Sequence, residues 1–292
     1  MPLQTTPTAI RRYIAFELRR LRESAGLSQK QAAPLVDTSQ TRIAHFESGR
    51  NLPKLPEVDA LLNAYKVPEL SELIKDLILQ VRHAPQDAPQ VIELDSEMRL
   101  PPGFDLYLGL EQGASKIVTY DAMITMGILQ CRSYAEALLR GHFAAMSEVD
   151  VRRTVDLRMR RQQVLDRTEP PAELVAVIDE SVLHRQIGGP EVLAEQLDYL
   201  LTVARKPNVS LRVLPYEAGA HPALHGPFTL LKFPIERDPG VIYLEDRLGG
   251  RYRDDPGDVD EYESVVNRLL EVALDDKASL SVIRKAREDV SP

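Results

Sequence analysis

The chain has 292 residues, 43% hydrophobic and 27% charged, which is the size of about two globular domains rather than a disordered or fibrous chain. No apolar run approaches the roughly 20 residues that span a bilayer, and the N-terminus lacks the apolar segment of a secretory signal. A lone Cys131 excludes an intramolecular disulfide, so the expected setting is cytoplasmic, without a membrane partner.

The formal net charge of −8 argues at first against a nucleic-acid partner, but it conceals an asymmetry. Residues 1–66 carry ten basic and six acidic side chains, a net +4, and the remainder carries −12. A basic module on an acidic body is compatible with DNA binding, because only the docking face must be positive. It implies weak non-specific binding.

In chain order, residues 8–25 read as a first helix, with Ile10, Ile14, Leu18 and Leu21 forming an apolar stripe. Arg11, Arg12, Arg19, Arg20 and Arg22 lie around it, either as phosphate contacts or as an ordinary solvated face. Gly26 matches a helix stop. Ser28 can cap a helix from Gln29, and Ser39 a second from Gln40, with residues 35–38 as a tight turn between them. Two short helices so joined, after a longer one, make a helix-turn-helix whose second member can enter a major groove. Beyond a turn at residues 48–53, Pro56 opens a fourth helix with Val58, Leu61, Leu62 and Tyr65. A fifth, at residues 68–82, carries Leu70, Leu73, Ile74, Leu77 and Ile78.

Residues 26–50, GLSQKQAAPLVDTSQTRIAHFESGR, resemble the helix-turn-helix of the phage-repressor or xenobiotic-response-element type. The match lies in LSQ, Ala33, Ser39, Ile43 and the ending Glu47-x-Gly49-Arg50. The resemblance implies that Gln29 opens the second helix beside a phosphate, that Ala33 allows close helix crossing and that Ile43 is a core anchor. It places Gln40, Thr41, Ala44 and His45 outward toward base edges, Arg42 at a phosphate or groove edge, and Ser39 and Arg50 in the same DNA-binding set. Two residues depart from the pattern. Asp37 stands where the family usually has glycine, and Asp tolerates a left-handed backbone better than most side chains. Pro34 falls inside the second helix and removes one amide donor there.

These features assign residues 1–82 to an all-α DNA-binding domain and residues 83–90, HAPQDAPQ, to a linker. Residues 91–292 form an α/β domain with a mixed sheet, entered through a helical arm at 91–110 that Pro101-Pro102-Gly103 interrupts. A strand is expected at 115–120 and helices at 132–140 and 147–166. The last helix holds Arg152, Arg153, Arg158, Arg160 and Arg161, with Arg167 just beyond it. Acidic neighbours favour a locally ion-paired, solvated or interface face over a second nucleic-acid surface. A strand at 174–178, a helix at 190–204 and a strand at 209–214 have the size of a βαβ unit. Residues 228–233 and 241–244 read as an antiparallel pair, and helices at 258–273 and 279–287 close the chain.

The second half resembles a domain of unknown function that commonly follows this helix-turn-helix in regulators from actinobacteria. The resemblance rests on YDAMITMGILQCRSYAEALL, RMRRQQVL, VIDESVLHRQIGG, EQLDYLL, NVSLRVLP, GAHPALHGPFTLLKF and VIYLED, and extends over about residues 108–283. Met126 and Cys131 replace the usual Pro and Thr. The resemblance assigns no reaction; it implies a small partner protein encoded by an adjacent gene.

Chemical motifs are sparse. His221 and His225 with Glu217 or Glu180 suggest a metal site, but Pro222 and Pro227 oppose a regular presentation, and no HExxH or CxxC order is present. A turn closing a pocket or supporting a partner is the better reading. Glu180, His184 and Arg185 follow a strand and form a candidate effector or partner region together with His221 and His225. Gly188-Gly189 and Gly249-Gly250 read as flexible corners outside any phosphate-binding motif, and no cofactor or catalytic set is expected. The expected protein is a non-enzymatic, sequence-specific transcription regulator on double-stranded DNA, a homodimer controlled through its second domain by a small partner protein. The alternatives are a one-component small-molecule sensor and a DNA-targeted enzyme.

Overall fold

The computed structural model describes residues 5–84, 102–143, 145–168 and 170–290, so most of the expected linker and the first part of the expected arm lie outside the described residues. The chain divides into two compact units, Met1–Gln90 with Pro234–Asp238, and Val91–Phe233 with Pro239–Pro292.

The first unit is all-helical: α1 (Pro7–Ser24), α2 (Gln29–Leu35), α3 (Gln40–Glu47), α4 (Leu55–Ala64) and α5 (Ser71–Arg82). The expected fifth helix is a 3-10 turn, Pro68–Leu70, followed by regular α-helix. Its core is built where α1, with the apolar stripe Ile10, Ile14, Leu18 and Leu21, packs on α3 (Ile43, Phe46) and α5 (Ile74, Ile78), and α4 (Leu61, Leu62) packs on α5, all these side chains being buried. Tertiary burial of these stripes is what makes helices of seven and eight residues stable.

The second unit is a six-stranded mixed sheet in the order β3-β2-β1-β4-β5-β6. Its strands are β1 (Lys116–Asp121), β2 (Glu173–Asp179), β3 (Val209–Leu214), β4 (Phe228–Lys232), β5 (Val241–Asp246) and β6 (Gly249–Arg253). Helix α6 (Phe104–Gly113) leads into β1, α7 (Arg132–His142) and α8 (Glu148–Arg161) connect β1 to β2, and α9 (Pro190–Val203) connects β2 to β3. Helices α10 (Pro256–Val272) and α11 (Asp276–Asp289) follow the sheet. Strands β1, β2 and β3 are parallel, whereas β4 to β6 run antiparallel as a meander beside β1. The α10 face of the sheet carries Val118, Tyr120, Val177, Phe228, Leu230 and Ile242 against Val259, Val266 and Leu269.

Three expectations are corrected. Gly249-Gly250 is not a flexible corner but the start of β6, paired with Asp246 and Glu245 of β5. A Cβ on Gly250 would stand 2.2 Å from the Tyr243 ring, so glycine is needed for the ring to lie on the strand. The expected helix 147–166 ends at Arg161 and continues as a 3-10 turn, Gln162–Leu165. Its arginines are not uniformly solvated. Arg161 is buried and donates twice to Glu111 of α6, with its guanidinium over Phe104 and Tyr107. Arg167 donates to the carbonyls of Gln112, Ala114 and Pro170. Periodicity could not reveal these roles, because the partners come from segments roughly 50 residues away.

Candidate nucleic-acid interface

Three local devices shape the helix pair of the first unit. The Ser28 hydroxyl accepts from the Gln31 amide and the Gln31 side chain accepts from the Ser28 amide, a reciprocal capping box at the start of α2. Ser39 caps α3 by accepting from the Arg42 amide at 3.2 Å. Between them, Asp37 adopts φ +49, the left-handed conformation that the missing glycine would have supplied. The amide of Thr38 donates to the Ala33 carbonyl across this residue, closing α2 as a Schellman turn. Leu35 belongs to the last turn of α2, so the connection is shorter by one residue than expected. Pro34 lies in that last turn and leaves α2 at seven residues. Gly26, at φ +72, ends α1 with the same geometry, the Leu27 amide donating to the Arg22 carbonyl.

A buried ion pair fixes how the helices meet. Arg22 of α1 donates through Nε and Nη2 to the two oxygens of Glu47 at 2.6 and 2.8 Å, and through Nη1 to the Leu27 carbonyl. The Gln29 side chain donates to the same carboxylate at 2.9 Å. One carboxylate at the end of α3 therefore holds the end of α1 and the beginning of α2. The hydrogen bonds to Glu47 raise the Arg22 pKa despite burial, so the cation is fixed. Arg22 thus serves as an internal tie rather than as part of a solvated face.

With Ile43 and Phe46 turned inward, α3 exposes Gln40 and Thr41 to solvent and leaves Ala44 and His45 partly exposed. Arg50 is exposed just beyond the helix. Arg42 is half-exposed; its Nε and Nη2 donate to Glu57 of α4 at 3.0 and 2.7 Å, and its guanidinium lies 5.3 Å from the Phe46 ring centre. Glu57 also accepts from the Lys54 amide, so Arg42 is held against the start of α4. Sequence reading did not include Glu57. Its available signal was its place three residues after Lys54, at the opening of an apolar-periodic helix.

The candidate effector residues lie at the carboxyl ends of the parallel strands. The Tyr216 amide, just after β3, donates to Glu180 just after β2. His184 sits 3.8 Å from Glu180 and stacks on the Tyr216 ring. Ser181 donates to the Ala122 carbonyl, tying the loop after β2 to the loop after β1. His221 approaches Tyr120 at 3.4 Å, edge to face. His225 is exposed on the turn before β4, and Arg185 is exposed beside His184. The geometry does not bring His221 and His225 into a metal-ligand set: among the described residues no group of three or more His, Cys, Asp or Glu side chains could hold an ion. Beneath these loops Asp121 is buried, and desolvation pushes its pKa up to about 7 against the opposing hydrogen bonds of Thr119 and the Met126 amide. Cys131 is buried at the N-terminal cap position of α7; burial raises its thiol pKa, the opposite of what a nucleophile needs.

Among the described residues, no helix is long and apolar enough to cross a membrane. A family model described as a domain of unknown function, DUF5753, matches residues 104–285, more than half of the chain. A helix-turn-helix domain model matches residues 14–73. No curated protein and no solved structure matches the chain. The capped helix pair and the mixed α/β unit coincide with these two matches, and the chain belongs to the DUF5753 family, carried behind a helix-turn-helix domain in the architecture of a DNA-binding transcription regulator.

Proposed function

We propose that the chain is a cytoplasmic, non-enzymatic regulator that reads a specific operator as a homodimer and is controlled through its second domain by a small partner protein. The observation that carries the DNA reading is the polarity of α3: Ile43 and Phe46 are buried while Gln40 and Thr41 stand in solvent. In this reading Gln40, Thr41, Ala44 and His45 meet base edges, and Gln29, Ser39, Arg42 and Arg50 meet the backbone. Residues 1–82 act as the reading head, 83–90 as the linker and 91–292 as the controlling domain.

A single recognition helix covers few base pairs. Two copies about 34–36 Å apart read two half-sites, which supports a two-fold dimer on an inverted repeat. Selection of bound sequences from a random DNA pool, with light scattering on and off the selected site, tests this. The expected result is a palindromic site bound by two copies; a monomer on a single half-site rules out the dimer.

Glu180, His184, Arg185, His221 and His225 support a signal-receiving surface, since the carboxyl ends of parallel strands are where open α/β sheets place ligands and partners. Hydrogen exchange with the product of a neighbouring small-protein gene checks this, and protection at residues 180–185 and 219–226 with altered operator affinity is expected. Binding without either effect sinks the placement.

A further inference from the structure

The sheet face under α10 is not filled from end to end. Between strands and helix lies a cleft of about 310 Å³, large enough for a small organic ligand. Its floor is Val118, Val175 and Leu230, register neighbours on β1, β2 and β4 that point to one side of the sheet; Val118 and Leu230 are buried beneath it and Val175 is partly accessible. Val266 and Leu270, one turn apart on α10, form the opposite wall. The walls are aliphatic, and the polar groups sit around them as Lys116, Lys232, Glu263 and Asn267.

The two lysines are themselves register partners, two residues along from Val118 and Leu230 and therefore on the same face. Like charges directly opposite each other on a sheet repel. Each is offset by one carboxylate, Lys116 by Glu173 at 2.7 Å and Lys232 by Glu263, and Lys232 also donates to the Pro239 carbonyl. These carboxylates are half-exposed, and exposed ion pairs contribute little, so an incoming anion exchanges with them at small cost. An ammonium carries three donors, and these contacts use one on Lys116 and two on Lys232. Donor capacity therefore remains on both sides of the cleft, directly beside an aliphatic slot.

We propose that this cleft binds an amphipathic carboxylate, its apolar body on the partly accessible Val175 and Leu270 and its head between Lys116 and Lys232. The head group is held by the lysine donors in exchange with Glu173 and Glu263, and the aliphatic lining selects an apolar body over a polar one. The site lies wholly within the second unit and does not depend on the DNA reading.

Titration calorimetry of the full chain with sodium decanoate below its micelle concentration tests the site, with decyltrimethylammonium as the cation of matched tail. Decanoate is expected to bind saturably, one per chain, and the cation not to bind. Lys116→Gln combined with Lys232→Gln should weaken decanoate by roughly tenfold or more, the loss of charge-assisted hydrogen bonds. Val175→Phe, which fills the floor, should abolish binding, with circular dichroism reporting that each variant stays folded. The lysine variant alters only surface-reaching side chains and keeps the test decisive if the phenylalanine is not accommodated. Absence of saturable decanoate binding, equal binding of the two amphiphiles, or undiminished binding in the folded lysine variant overturns the proposal.

Discussion

Arg22 and Glu47, twenty-five positions apart, form a two-pronged ion pair whose side chains are only 8% and 4% exposed. This pair, with Gln29 on the same carboxylate, sets the position of α3 relative to α1 and α2. A buried pair contributes less than its geometry suggests, because both ions lost water, but removing one partner strands the other.

Glu47→Ala is therefore expected to lower the stability of the helical unit by roughly 3 kcal/mol, and Glu47→Gln by less. Urea unfolding followed by circular dichroism measures both. A loss below about 1 kcal/mol in the alanine variant would show that Arg22 finds water or another acceptor.

Gln40→Ala and Thr41→Ala should each reduce preference for the selected operator by roughly 1–3 kcal/mol per lost base contact while leaving helical content unchanged. Arg42→Ala should weaken all sequences alike and, because Arg42 also holds Glu57, lower the melting temperature slightly. Competition binding at fixed salt separates the two patterns. Identical sequence preference in all three variants would remove α3 from the base-reading role.

Asp37, at φ +49, occupies a backbone conformation that a β-branched residue tolerates poorly. Asp37→Val should cost about 1–2 kcal/mol, whereas Asp37→Gly should be neutral or mildly stabilising. Thermal melting of the two variants side by side checks the order; equal melting points would mean that the turn relaxes out of the left-handed region.

Burial raises the Asp121 pKa from 3.8 to about 7, so the folded chain holds this proton more tightly than the unfolded one. The resulting stability contribution is complete below about pH 4 and is lost as pH rises through about 7. Asp121→Asn cannot ionise and should gain on the parent protein steadily across that interval. Urea unfolding of both proteins from pH 4 to 8 measures the difference, and a constant offset would show that Asp121 keeps its ordinary pKa when folded.

The sequence by itself determined the ends and periods of most elements, because these follow from interactions within a few residues. Ser28 and Ser39 cap helices, Gly26 stops one, and Asp37 takes the turn conformation foreseen for it. The strands β2 and β3 with α9 between them, and the antiparallel β4 and β5, follow from apolar runs and turn residues. The exposure of Gln40 and Thr41 follows from the inward spacing of Ile43 and Phe46. What only the tertiary structure decided were the long-range pairings. Arg22 and Arg161 read as surface charges until Glu47 and Glu111, brought from other helices, make their burial affordable. Gly249-Gly250 reads as a bend until β5 supplies its register and the Tyr243 ring occupies the space a side chain would need. The two lysines beside the α10 cleft are 116 residues apart in sequence and become neighbours only through the β1–β4 pairing. Local propensity fixes where a segment bends or coils; desolvation and strand register, which set the worth of a charge or a cavity, depend on partners that only the folded chain brings within reach.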